Sequence, residues 1–438
     1  MRLLACGDLH IGRRSSRIPE ELDGRAFSCA AAWESVVAVA IRERVDAVLL
    51  SGDVVDRANR YFESIGPLEL GDSALGREGI PVVAVAGNHD HDVLSRVADS
   101  LGQARLQLVG IGGRFERCTV ETRSGRLHVD GWSFPREHVV TSPLETYEAK
   151  PADDAPVVGL LHADVGAAES SYAPVGVEDL RETPVAAWIV GHRHGPYLEA
   201  ASGGAMVLVP GSVQAMDPRE PGPHGPFVLD LDRSRDPVAI ATQIPLSTVR
   251  YDEVRVDVGG LASSEELELR IVEALRGHRD AVSGRGEAEE LRLLSCDLVL
   301  SGRTRLHRAI EEAADRAVAD LDPGEGTVRV RVERVRRDTK PELDLEEIAR
   351  GNDPAGILAR DLIALEGGAS VENDNASSDG EARSLVRLAQ EAAGAVHGSR
   401  PYESLAGESD IDEGRARELV LDAGYELLDA LIAQKDPA

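Results

Sequence analysis

Ile80-Pro81-Val82-Val83-Ala84-Val85-Ala86-Gly87-Asn88-His89-Asp90 decides how the rest of the chain is read. The apolar run has the length and composition of a buried strand. It breaks at a glycine, and three polar residues follow. A strand end that offers Asn88, His89 and Asp90 to one point describes a site rather than a packing surface. Four further clusters give it weight, at Asp8, Asp53, His162 and His192.

Upstream, residues 2–6 read as a strand ending in Gly7-Asp8-Leu9-His10. Side chains two apart on a strand share a side, so Asp8 and His10 point together. Residues 26–44 have helical periodicity, and residues 46–51 form an apolar strand ending in Gly52-Asp53-Val54-Val55-Asp56. Strand, helix and strand make a βαβ unit, and ligands of such sheets sit outside the carboxyl ends of the strands. Residues 57–79 supply a second connection, helical in part. Downstream, short alternating stretches at 115–120 and 127–130 suggest a second, more antiparallel sheet. The buried strand at 157–161 ends in His162, and the one at 186–190 ends in Gly191-His192-Arg193-His194. Strands at 205–209 and 227–231 follow.

Residues 1–244 thus read as one catalytic domain. A compact β-α-β-α-β module occupies 245–340, its first helix at 263–276 capped by Ser264. A helical extension covers 341–365, broken at Gly351-Asn352-Asp353-Pro354. Residues 366–380 have the composition of a flexible linker. Residues 381–438 hold two helical stretches, at 381–396 and 413–434. The second carries an apolar stripe of Leu419, Ala423, Leu427, Ala430 and Leu431.

Composition narrows the possibilities. A chain of 438 residues has room for two or three domains. Only 3% of it is aromatic, which leaves few platforms for stacking single-stranded bases. No run approaches the roughly 18 apolar residues of a membrane helix, and the start turns polar too soon for a signal peptide. Cys6, Cys29, Cys118 and Cys296 are scattered, which reads as reduced thiols in the cytoplasm. The net charge of −29 speaks against a generic DNA-coating protein. The acid is uneven, however. Residues 1–60 carry nine arginines and nine acidic side chains, whereas residues 341–438 carry eight basic and twenty-two acidic ones. Arg13, Arg14, Arg17, Arg57 and Arg60 lie near the clusters and offer local positive charge for phosphates.

The five strand ends offer Asp8, His10, Asp53, Asn88, His89, His162, His192 and His194. Mixed carboxylate and imidazole ligands suit Mn²⁺, Zn²⁺ or Fe²⁺. Without thiolates, a structural zinc site is not expected. Seven oxygen and nitrogen ligands are too many for one ion and suit two that share a carboxylate. Such a pair activates a hydroxide for in-line displacement at phosphorus. His89 is then free to protonate the leaving oxygen. The other histidines, at 91, 128, 138, 224, 278, 307 and 397, lack this context and read as ordinary polar residues.

In this order the motifs resemble the signature of calcineurin-like metallophosphoesterases. The resemblance covers residues 1 to about 232. It implies an α/β, four-layer αββα sandwich with a small α/β capping domain and a helical C-terminal tail. It also implies that Asp8, His10, Asp53 and His194 hold one ion and that Asp53, Asn88, His162 and His192 hold the other. His89 is the catalytic acid. Within that superfamily the chain resembles SbcD-type DNA repair nuclease subunits. Asp8-Leu9-His10-Ile11-Gly12, Pro210-Gly211-Ser212-Val213-Gln214 with Glu220-Pro221-Gly222-Pro223-His224-Gly225, and the module after residue 245 carry this. That resemblance implies a metal-dependent DNA exonuclease and endonuclease of double-strand break repair, using two divalent ions, most simply Mn²⁺. It further implies an SMC-like coiled-coil ATPase as partner and a homodimer. Two alternatives stand beside it: a small-molecule or cyclic-nucleotide phosphodiesterase of the same fold, and a non-catalytic scaffold of a DNA-end-binding ATPase complex. Ser/Thr phosphatases fit less well, because Asn88-His89-Asp90 stands where they carry Asn-His-Glu.

Overall fold

The computed structural model describes residues 1–57, 62–101, 106–150, 153–167, 169–200, 203–232, 234, 238–284, 290–319, 328–366, 387–388, 391 and 413–435. Arg60, the linker after residue 366, His397 and nearly all of the helix expected at 381–396 lie outside them. The chain clusters into two compact units. One comprises Met1–Glu253, Gly277–Asp297 and Pro323–Glu333; the other comprises Val254–Arg276, Leu298–Asp322 and Arg334–Ala438.

Two six-stranded sheets build the first unit. In the first, β1 (Arg2–Cys6), β2 (Ala47–Leu50), β3 (Val82–Ala84) and β4 (Leu106–Leu108) run parallel. On the other side of β1, β13 (Phe227–Leu231) and β14 (Ala239–Gln243) are antiparallel. The second sheet has β6 (Gly125–Trp132), β7 (Val157–His162), β10 (Ala187–Gly191) and β12 (Met206–Val209) in parallel. Its antiparallel pairings are confined to the edges, with β5 (Glu116–Thr122) and β11 (Tyr197–Glu199). The alternation at 115–130 marks that edge hairpin only. The centre of the sheet is parallel because its strands are covered on both faces, as continuous apolar runs require. A two-stranded ribbon, β8 (Asp164–Val165) and β9 (Pro174–Val175), follows β7.

Alternation along each strand sorts side chains into layers. Leu3, Ala5, Leu49 and Val83 meet Leu127, Val158, Leu160 and Ile189 between the sheets. Leu4, Cys6, Val48 and Leu50 face outward, against Trp33 and Val36 of α1 (Cys29–Arg42), Leu68 and Leu75 of α2 (Phe62–Arg77), and Val97 of α3 (Leu94–Leu101). Beyond the second sheet the covering layer is thin. Trp132, Leu161, Trp188 and Val207 pack against Phe134, Val139 and Leu180, the last from the five-residue α4 (Val177–Arg181). The expected four layers are present, with the fourth built mostly of loops.

Three long strands, β15 (Val249–Asp257), β16 (Leu293–Thr304) and β17 (Arg329–Pro341), form the third sheet, in that order. They alternate with α5 (Ser264–Gly284) and α6 (Ile310–Ala319), the β-α-β-α-β order expected. Ser263, not Ser264, accepts the N–H of Glu266 at 3.2 Å and caps α5. In the second unit α7 (Leu345–Ile348) and α8 (Pro354–Glu366) precede α9 (Glu413–Lys435). α9 packs on α8 through Ala416, Tyr425 and Leu428. Leu419 and Leu427, from the predicted stripe, are 41% and 54% exposed, so the packed face is a rotated one. It is organised by Tyr425, whose hydroxyl donates to Glu366 at 2.6 Å under the guanidinium of Arg303. Among the described residues no helix is long and apolar enough to cross a membrane.

Close packing of the second sheet depends on a missing side chain. A Cβ on Gly159 would lie 2.0 Å from Cε3 of the wholly buried Trp188. Gly159→Ala is therefore expected to lower stability by about 1–3 kcal/mol through overpacking, read as a fall in the urea midpoint at unchanged m-value.

Candidate metal centre

β1, β2 and β3 are parallel neighbours, so their carboxyl ends reach the same edge of the first sheet. β7 and β10 do the same in the second sheet, with Gly191 in register with His162. The five clusters of the sequence meet there. Asp8, His10 and His194 form one group able to hold a cation, His10, Asp53 and His89 a second, and Asp8, Asp53 and His162 a third. Asn88 joins them, its Oδ1 lying 3.0 Å from His162 Nε2 and 3.2 Å from His192 Nδ1. All eight predicted side chains are thus brought together.

The local backbone is unusual. Asp8, His10, Asp53 and His192 all have positive φ, at 49°, 46°, 48° and 101°. Such conformations are costly for residues with a Cβ and persist where the surroundings over-determine them. Here the loops are laced together. Asp8 N donates to Gly52 O, His10 N to Asp53 O and Ile11 N to Val54 O, at 2.9–3.1 Å. Asp90, wholly buried, accepts the N–H groups of Gly87 and Val54 at 2.7 Å and of Val55 at 3.2 Å. It ties the loop of Asp53 to the loop of Asn88, and does not reach His89. Gly87 serves close approach rather than a turn, since a Cβ there would stand 2.1 Å from Asp53 Oδ1.

Each ligand candidate is aimed by a partner. His162 Nδ1 donates to Ser51 O at 3.0 Å, leaving Nε2 to face the site. His194 Nδ1 donates to Glu220 Oε1 at 2.7 Å. The other oxygen of Glu220 accepts from Ser212 Oγ and from Met216 N. His224 backs this arrangement through Ser212, 3.0 Å from both its hydroxyl and its carbonyl. Asp56 lies 3.4 Å from His10 Nδ1 and 3.7 Å from His89 Nδ1. Tyr172 stacks on His192 at 4.8 Å between ring centroids. Sequence reasoning passed over Glu220, His224 and Tyr172 as site residues. The one available signal was the polar Glu220–Gly225 stretch, which has no periodicity. His91 Nδ1 meets the carbonyl of Asn88 at 3.2 Å.

The electrostatics call for positive charge. Burial pushes Asp8 up to about 8, and the neighbouring Asp53 adds to the rise. Burial also works against ionised Asp53, but His162, His10 and His89 outweigh it and hold the carboxyl low. Burial keeps His10 and His162 below the usual imidazole range, and takes His192 down to about 4. Neutral imidazoles are what a metal needs. His194 goes the other way: burial opposes its charge, yet Glu220 and Asp8 raise it to about 9. Its Nε2 faces His10 Nε2 at 3.2 Å, so that proton occupies a place where a cation fits, and metal binding would displace it. The donor set, the facing nitrogens and the buried carboxylates fit divalent ions. Against 0–3% exposure for His10, Asp53 and His162 and 26% for His194, the side chain of His89 is 31% exposed. Asp56 raises it above the usual range, against the opposing effect of burial.

Residues 1–196 match the Calcineurin-like phosphoesterase family, and residues 251–340 match the family described as Metallophosphoesterase YhaO, middle domain. The chain is 26% identical over 236 residues to the Uncharacterized metallophosphoesterase YhaO of Bacillus subtilis, covering 52% of this chain and 57% of that protein. The match thus spans little more than half of that relative. It is 28% identical over 388 residues to the DNA double-strand break repair protein Mre11 of Haloferax volcanii, covering 83% of this chain and 80% of that protein. Over 89 residues it is 34% identical to the Mre11 of Aeropyrum pernix, covering 20% of this chain and 21% of that protein.

Glu220 orients His194, and loss of such a partner typically lowers metal affinity about 10- to 100-fold. Glu220→Ala is expected to fall in that range in calorimetric titration with Mn²⁺, with Glu220→Gln, which can still accept from His194, weakened less.

Proposed function

We propose that this chain, whose residues 1–196 belong to the calcineurin-like metallophosphoesterases, is the nuclease subunit of a DNA double-strand break repair complex, cutting phosphodiesters with two bound Mn²⁺ ions. One observation carries the hydrolytic part. Ligand candidates from both sheets converge on one cluster, and His89, its side chain 31% exposed, stands among them beside Asp56. Similarity to a protein named for DNA double-strand break repair, over 80% of that protein's length, supports DNA as the substrate.

In this reading Asp8, His10, Asp53 and His194 hold one ion, and Asp53, Asn88, His162 and His192 hold the other, with Asp53 shared. Two such ions supply a water made acidic near neutral pH and charge compensation for the phosphoryl oxygens. The protein's own residues do the rest. Asp90 and the glycine at 87 keep the two ligand loops at one spacing. Glu220 and Ser51 fix the rings of His194 and His162. His89, whose hold on a proton is strengthened by Asp56, gives that proton to the leaving oxygen as the P–O bond breaks. An SMC-like coiled-coil ATPase as partner, a homodimer and a cytoplasmic setting belong to the same reading. The four free cysteines agree with the last.

Positioned proton transfer typically contributes about 100- to 10,000-fold. His89→Ala is accordingly expected to retain Mn²⁺ stoichiometry and lose cleavage of linear duplex DNA within that range, and chelation by EDTA to abolish wild-type cleavage. Unchanged turnover in the variant defeats the role of His89. Wild-type hydrolysis of small phosphodiesters with no cleavage of DNA defeats the DNA reading.

A further inference from the structure

Beside the metal centre lies an open cavity of about 500 Å³ lined by Gly12, Arg13, Arg14, Gly24, Arg25, Ser28, Ala30 and Glu63. Three arginines therefore border one hollow in a chain of net charge −29. Arg13 ties the cavity to the centre: its Nε is 3.8 Å from Asp56 Oδ1, the same oxygen that faces His10 and His89. Arg14 and Arg25 are exposed, and among the described residues neither has an acidic partner within 4.0 Å. The Arg14 guanidinium lies over Gly24, where a Cβ would be 3.7 Å from its Nη1.

The walls are built. Arg14 bridges Ser28 in antiparallel fashion, Cys29 N donates to Arg13 O at 3.0 Å and Ser15 N donates to Phe27 O at 2.9 Å. Asp23 accepts the N–H of Arg25 and fixes the turn that carries it. The guanidinium groups thus project from a backbone whose positions are fixed by hydrogen bonds. Phe62, next to Glu63 on the rim, is 90% exposed, the most exposed large apolar side chain among the described residues. Arginines bordering one open hollow beside a phosphodiester-cutting centre suit the phosphates of a sugar-phosphate backbone.

We propose that Arg14 and Arg25 form a phosphate-binding subsite that holds the nucleic-acid strand on one side of the scissile bond, with Arg13 linking it to the reacting centre. This rests on the nuclease reading and names where the substrate strand runs. Arg14 and Arg25 are positioning residues: they hold the strand and touch no reacting atom.

The full-length chain with Arg14→Ala and Arg25→Ala, checked for an unchanged thermal midpoint, is compared with wild type in two assays. In the first, labelled duplex DNA is titrated by anisotropy in EDTA across a salt series. Loss of two phosphate contacts is expected to weaken binding at least tenfold at low salt and to make the slope of log K against log salt shallower by about 1.8. In the second, cleavage of duplex DNA and of bis-p-nitrophenyl phosphate is measured with Mn²⁺. KM for DNA is expected to rise while kcat/KM for the small diester stays unchanged. Unaltered binding and salt slope overturn the subsite, as does an equal loss on both substrates. If wild type cuts the small diester but no DNA, the nuclease reading fails, and the anisotropy result still decides whether these arginines bind nucleic acid.

Discussion

Two carboxylates, Asp8 and Asp53, are 1% and 2% exposed at the meeting point of two sheets. Burying an ionised carboxylate costs several kcal/mol even after relaxation, unless positive charge and hydrogen bonds compensate. The rest of the site is arranged around that cost. Asp53 Oδ1 accepts the N–H of His89 at 2.8 Å, and both oxygens of Asp8 lie 3.1 Å from the N–H of His192. Five imidazoles, of His10, His89, His162, His192 and His194, gather around them, and divalent ions held there would supply the charge that main-chain donors cannot. The positive φ at Asp8, His10 and Asp53 follows from the same demand, since extended backbone would carry these side chains past the common point.

Because the ligands come from both sheets, the centre exists only when the sheets are packed. Leu3, Leu49 and Val83 against Val158, Leu160 and Ile189 bury the layer that sets the spacing. The strand ends can then approach without side chains in the way. A Cβ on Gly191 would meet Ser51 O at 2.1 Å, and one on Gly52 would meet His162 Nδ1 at 2.5 Å. Glycine before Asp53 and His192 is thus a steric condition of assembly across the sheets, and glycine before Asp8 and Asn88 one of close approach within the first, to Ser51 and Asp53. Stability and function share this layer, because misplacement of one strand end moves a ligand.

Asp56 and Glu220 show how one kind of group serves two tasks. Glu220 bonds to the ring of His194 and makes it a fixed, electron-rich donor. Asp56 stands between His10 and His89 at longer range, 3.4 Å from the one ring and 3.7 Å from the other, and raises the affinity of His89 for a proton. Burial separates the two histidines. His10 is wholly enclosed and burial lowers its affinity for a proton, whereas His89 keeps contact with solvent and Asp56 raises its own.

Much of this was legible in the chain itself. Apolar runs of four to six residues that stop at glycine and an acidic or imidazole residue identify buried parallel strands and the edge where they end. That pattern singled out Asp8, His10, Asp53, Asn88, His89, His162, His192 and His194, because residue type and strand ends are local features; the alternation expected to aim Asp8 and His10 together does not apply, since both lie beyond β1 with φ of 49° and 46°. Where local pattern does not carry the information, the tertiary structure decided. The parallel centre of the second sheet, masked by the alternation of its edge hairpin, depends on which strands become neighbours. The packed face of α9 turns on Tyr425 finding Glu366, 59 residues away. Glu220 lies 26 residues from His194 in sequence and 2.7 Å from it in space, and nothing in the periodicity of residues 210–225 says so. Residue types and strand ends follow from short-range rules. Which buried polar groups meet depends on how two sheets close on each other, since a buried donor or acceptor takes the partner that the completed core brings to it.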